Sequence, residues 1–172
     1  MGLRKGHCYS KVKRAYTRKS KYKNKAYIKA APINKVMKYD MGDLKKQFPV
    51  EVKLVSEQHI QIRHNSLESA RVVVNRHLAE NLGNNFRLLL RLYPHHVLRE
   101  NKMLTGAGAD RMQSGMQRSF GKPVGLAARV RKDHVVFSAF VDSDCVGVAR
   151  AALAMARPRM PGRYSIEVSS VV

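Results

Sequence analysis

The sequence predicts an α+β fold: an antiparallel sheet with two helices packed on it, formed by two strand-strand-helix-strand units behind a basic N-terminal extension. Three observations carry this reading. Apolar and polar residues alternate around Val52, Leu54, Ile60 and Ile62, which is the period of half-buried strands, and residues 124–131 and 134–141 read as a second pair of strands. Apolar residues recur at helical spacing from Leu67 to Leu82 and from Val146 to Ala156. Residues 1–39 hold thirteen Lys and Arg and no Asp or Glu, too much like charge and too little apolar surface to order alone.

Taken in order, residues 1–39 are a basic arm and residues 40–172 a single α+β domain. Asp40 to Phe48 reads as a short helical turn ended by Pro49. Val52 and Leu54, then Ile60 and Ile62, read as a hairpin turning near Glu57 and Gln58. The first helix follows, with Asn65 or Ser66 as its cap, Glu68 in its first turn, Leu67, Ala70, Val73, Val74, Leu78 and Leu82 on its apolar face, and Gly83 as its stop. Phe86 to Tyr93 alternates as a strand that Pro94 halts.

The same order returns after Pro123. Val124 to Arg131 and His134 to Val141 read as a second hairpin turning at Lys132 and Asp133. Asp142, Ser143 and Asp144 open a helix whose apolar face is Val146, Ala149, Leu153 and Ala156. Arg157 and Pro158 close it, Pro161 and Gly162 turn the chain, and Tyr164, Ile166 and Val168 alternate as the last strand.

Composition narrows the function. The 172 residues carry 33 basic and 12 acidic side chains, a formal net charge of +21, which would strain a compact fold by self-repulsion unless a polyanion neutralises it. Tyr9, Tyr16, Tyr22, Tyr27 and Tyr39 interleave with the arm's cations. Cations release counterions from phosphates and tyrosines stack on bases, a mixture suited to folded RNA. No apolar run approaches the length of a spanning helix and no segment has the order of a signal peptide, so no membrane partner is expected. Cys8 and Cys145 are far apart without metal-ligand spacing, which points to a reduced, cytoplasmic setting. His95 and His96 are adjacent and on a strand would face opposite ways, so no metal and no other cofactor is expected.

Residues 101–122 lie between the two units and contain Gly106, Gly108, Gly115 and Gly121. A connection this long inside a compact domain is usually functional. Lys102, Arg111, Arg118 and Lys122 supply cations, Gln113 and Gln117 can reach base edges, and Met103, Met112 and Met116 give adaptable apolar contact. The phosphate-loop pattern fails because Pro123 follows Gly121 and Lys122, and the dinucleotide fingerprint fails at Arg111. An RNA-modifying or RNA-cleaving enzyme would have to use Asp110 or Cys145, neither with an evident partner. A DNA-compacting protein is a third reading, which the long loop disfavours.

The words of the loop, "KMLTGAGADRMQSGM" and then "FGKPVG", resemble the signature of the large-subunit ribosomal protein family numbered sixteen, called ten-e in archaea and eukaryotes. Supporting stretches are Cys8-Tyr9, Tyr16 to Lys19, Asp40-Met41-Gly42, "QIRHNSLESARVVVNRHL" and "YPHHVLRENKML", and the C-terminus looks archaeal. The resemblance implies a non-catalytic ribosomal constituent that binds large-subunit rRNA near the peptidyl transferase centre, beside neighbouring ribosomal proteins, and joins late in assembly. It implies that the loop, with Lys102, Met103, Gly106, Gly108, Asp110, Arg111, Gln113 and Arg118, approaches the peptidyl-site tRNA. The arm's Arg4, Lys5, Lys11, Lys13, Arg14, Arg18, Lys19, Lys21, Lys23 and Lys25 are the expected rRNA contacts.

Overall fold

A computed structural model describes residues 4–12, 22, 24, 28, 31–101, 106–107 and 121–170. The α+β class holds, but the strands divide between two antiparallel sheets instead of sharing one. A five-stranded sheet has the order β1 (Asp40–Gly42), β4 (Arg87–Leu90), β7 (Val135–Val141), β2 (Val50–Ser56), β8 (Tyr164–Ser170). A three-stranded sheet has the order β3 (Ile60–Arg63), β6 (Lys122–Val130), β5 (His96–Glu100). Among the described residues the α-helices are α1 (His7–Ser10), α2 (His64–Leu82) and α3 (Val146–Ala156).

Neither expected hairpin forms. β2 pairs with β7 and β8, and β3 pairs with β6. Val50 faces Val141 and Leu54 faces Phe137; after one shift at Leu54/Val55, Val55 faces Val135. Across the turn the same register resumes, with Ile60 facing Val130 and Arg63 facing Ala127. Residues 50–63 and 127–141 thus make one bent two-stranded ribbon that supplies the middle of both sheets. Its bend is stitched by Ser56 N–H donating to His134 O at 3.0 Å and Asp133 N–H donating to Ser56 O at 2.7 Å. Asp133 takes the left-handed backbone (φ 64°) that this tight turn requires.

The apolar positions of α2 do face inward: Leu67, Ala70, Val74 and Leu78 are fully buried. They meet Ala149, Ala152, Leu153 and Ala156 of α3, where small side chains let the helices approach; α3 rests on β2, β7 and β8 of the larger sheet and α2 on β3 and β6 of the smaller, and both helices share one core with Val52, Leu54, Leu88, Phe137 and Ala139. Each large side chain buried there stabilises the fold by roughly 1.5 to 3 kcal/mol.

Four local expectations are corrected. Asp40–Gly42 is a strand and not a helical turn, because Met41 is buried and the segment pairs with β4 from Asp40↔Leu89 to Gly42↔Arg87. The cap of α2 is Arg63, in extended conformation and without a side-chain capping bond, two residues before Asn65 and three before Ser66. Asp142, Ser143 and Asp144 lead into a 3-10 turn (Ser143–Cys145), with α3 starting at Val146; Asp142 does not cap but pairs with Lys46 at 2.8 Å. His96–Glu100 is a further strand that the alternation beyond Pro94 did not mark.

Candidate nucleic-acid interface

The three-stranded sheet joins the two segments that the sequence singles out. β5 ends and β6 begins at the pair Glu100↔Lys122, so this pair is the root of the residue 101–122 connection. On the same sheet lies the start of the basic chain. Residues 7–10 form α1, and Lys11 bridges to Ile60 at the edge of β3.

Tyr9 is the centre of this docking. Its hydroxyl donates to the Glu100 carboxylate, its carbonyl accepts from Gln61 Nε2 at 2.8 Å, and the Arg63 guanidinium stands 5.5 Å from its ring centroid. Arg63 Nη1 also donates to Arg4 O at 3.1 Å. The side chains of Gln61 and Arg63 alternate with Ile60 and Ile62, so a single strand buries two isoleucines in the core and turns two hydrogen-bonding groups toward α1.

Of the expected arm contacts, Arg4, Lys5 and Lys11 are described, and all three are exposed around this docked segment. Lys13, Arg14, Arg18, Lys19, Lys21, Lys23 and Lys25 lie outside the described residues. In the loop, Gly106 is exposed; Lys102, Met103, Gly108, Asp110, Arg111, Gln113 and Arg118 lie outside the described residues.

A row of stacked rings was not foreseen. Tyr39 stacks on Tyr93 with centroids 5.4 Å apart, and His95 lies against Tyr93 at 4.6 Å. Tyr93 remains 48% exposed, so the row lies at the surface. Asn34 Nδ2 donates to the Tyr39 hydroxyl at 2.6 Å and holds the end of the row. The sequence signal was present in Tyr93-Pro94-His95-His96, whose alternation puts His95 outside and His96 inside.

Two buried imidazoles flank β6. His64 accepts from Lys35 N–H at 3.4 Å and stands 3.4 Å from where a Cβ on Gly125 would lie. Burial lowers its pKa, with Lys35 and Arg63 adding to the effect. Burial also lowers that of His96, helped by Arg129 and Arg99. Both are held neutral, so they are interior polar groups and not phosphate contacts.

The larger sheet contrasts with this side. Arg87 grips Asp40 through two bonds of 3.1 and 2.6 Å, Arg91 and Lys53 share Glu51 at 2.9 and 3.3 Å, and Lys46 holds Asp142. Burial raises the Glu51 pKa, but hydrogen bonds from Ser138, Arg91 and Lys53 outweigh it and leave the carboxyl below its ordinary range. Cations already engaged by carboxylates have less to gain from phosphate. Cys145 packs half-buried against the core, Asp110 lies outside the described residues, and no metal-binding group of His, Cys, Asp or Glu occurs among those described.

Comparison with known proteins identifies the family to which the chain is similar. A family model described as "Ribosomal protein L16p/L10e" matches residues 12–167. Similar curated proteins bear the name "Large ribosomal subunit protein uL16". That of Methanococcus aeolicus is 46% identical over 170 residues, covering 98% of this chain and 95% of the relative. That of Sulfolobus acidocaldarius is 42% identical, covering 99% and 96%, and that of Halorubrum lacusprofundi 44% identical, covering 87% and 88%.

Proposed function

Because the chain belongs to the ribosomal protein L16p/L10e family, we propose that it is a structural constituent of the large ribosomal subunit, that its basic arm and three-stranded sheet bind rRNA near the peptidyl transferase centre, and that residues 101–122 approach the peptidyl-site tRNA. The family is one of ribosomal structural proteins and not of enzymes, so chemistry stays with the RNA.

The observation that carries this reading is the Tyr9–Glu100 contact, which brings the start of the arm to the root of the loop. A protein that must place one segment among rRNA helices and another at a functional centre needs a fixed distance between them, and a sheet supplies it. Phosphate contacts from Arg4, Lys5, Lys11 and the arm beyond orient the body without reading sequence. The exposed row of Tyr39, Tyr93 and His95 offers an aromatic surface for an unpaired base. The paired charges of the larger sheet turn that face away from phosphate.

Two truncations test the division of labour, followed by sedimentation of cell lysates on sucrose gradients. Removing residues 1–38 should weaken incorporation into the large subunit. Shortening 105–115 should leave the protein folded and subunit-bound but impair maturation or translation. Full incorporation without the arm, or a loop-shortened chain that cannot fold, would contradict it.

A further inference from the structure

Three turns meet at the end of β6 remote from the loop root. They are residues 56–60, residues 131–134 and the chain from Arg157 to Arg163. Asp133 N–H and Ser56 O join the first two, and Glu57 N–H donates to Arg163 O at 3.1 Å to bring in the third. The third turn is itself rigid: Met160 N–H donates to Arg157 O, and the Tyr164 hydroxyl to Pro161 O at 2.6 Å. Gly162 sits at φ 94°, where a Cβ would come within 2.5 Å of Ile60 Cδ1, so the turn is seated on β3 with no room for a side chain.

The side chains these turns present are strongly basic. Arg131, Lys132, Arg157, Arg159 and Arg163 are all exposed, and none forms an ion pair among the described residues. Only Glu57 and Asp133 offset them locally. In a chain whose larger sheet pairs its cations with carboxylates, five uncommitted cations on a bonded scaffold are a surface arranged for an external anion. The arm leads to the same place, since Lys11 bridges to Ile60, the residue on which Gly162 rests.

We propose that this turn cluster is a second, preformed phosphate-binding surface for RNA, distinct from the loop end of the protein. β6 spans nine residues between the two ends, about 30 Å at ~3.3 Å per residue. The protein therefore ties two RNA segments together at a set separation: one at the loop root, the other at the turns. The turns grip the sugar-phosphate backbone by shape and charge, not by base identity. The proposal rests on the RNA-binding reading above.

The test uses the full chain and large-subunit rRNA fragments, with affinity measured over a range of salt. R157Q/R159Q/R163Q and, separately, R131Q/K132Q are compared with K46Q/K53Q/R76Q, which removes three cations that are already ion-paired. Each turn variant should bind about tenfold or more weakly, and the triple variant should flatten the salt slope by about two. R157K/R159K/R163K should restore the slope, and the ion-paired control should match wild type. Equal losses from turn variants and control would show mere net-charge dependence and overturn the proposal. Unchanged RNA affinity with lost subunit incorporation would assign the turns to an acidic protein neighbour and overturn it too. Failure of the wild-type chain to bind rRNA would instead sink the reading on which the proposal rests.

Discussion

The hydroxyl of Tyr9 donates to the carboxylate of Glu100, ninety-one positions further along the chain. It crosses from the first short helix to the last residue of β5, so the N-terminal segment is held at the place where the loop leaves the sheet. Tyr9→Phe keeps the ring beside Arg63 but removes the bond. It should lower stability by about 1 kcal/mol, measured by urea unfolding. In a double-mutant cycle with Glu100→Gln the two effects should be non-additive; additive effects would show that the groups do not interact.

Gly42 and Gly147 should respond oppositely to alanine. Gly42 has φ 88°, and an added Cβ would lie 2.1 Å from Phe86 O, the carbonyl that also accepts from Asp43 N–H. Gly42→Ala should destabilise by more than about 2 kcal/mol. Gly147 lies exposed in α3 with nothing near its Cβ direction, and Gly147→Ala should stabilise by about 0.5 kcal/mol. Thermal melts of the two variants check both signs.

Stability should fall on mild acidification. His64 and His96 have lowered pKa values in the fold, so the unfolded chain takes up protons first. Their contribution is complete above about pH 6.5 and is lost as the pH falls through the range below it. Urea midpoints should be lower at about pH 5.5 than at about pH 7.5. Replacing both histidines by Gln should flatten that interval. Glu68, lowered by its two bonds from Arg71 and one from Met37 N–H, and Glu51 act further down, losing their contribution as pH falls below about 4.

The α2–α3 contact should be the costliest part of the core to cut. Leu78 and Leu153 are fully buried, and Leu78→Ala or Leu153→Ala should each cost about 2 to 5 kcal/mol, read from urea unfolding. A cost below about 1 kcal/mol would mean that the helices do not pack there.

The elements were largely legible and their partners were not. Leu67, Ala70, Val74 and Leu78 repeat at helical spacing, so α2 could be read, and Gly83 marked its end. Alternation found the strands holding Val52, Leu54, Ile60 and Ile62, but alternation gives a strand its faces and not its neighbour. The short turn after Ser56 looked like a hairpin; in fact it bends a ribbon whose other strand is about eighty residues away in sequence. Asp40–Gly42 was misread because three residues with an acid, a glycine and one methionine carry no strand period, and only pairing with β4 makes them extended. The arm's charge was plain in composition, whereas the part played by Tyr9 depends on Gln61, Arg63 and Glu100, which no local pattern connects to it. The turn cluster was hidden for the same reason: Arg131, Lys132 and Arg163 are brought together only by backbone bonds between distant turns.

The most direct test of the account is cross-linking from the loop in assembled ribosomes. A photoreactive residue at Gln113 should, on irradiation with tRNA bound, join to the peptidyl-site tRNA, and the cross-link should disappear when that site is emptied. Cross-links confined to rRNA or protein, unchanged by tRNA occupancy, would contradict the placement of the loop at the functional centre.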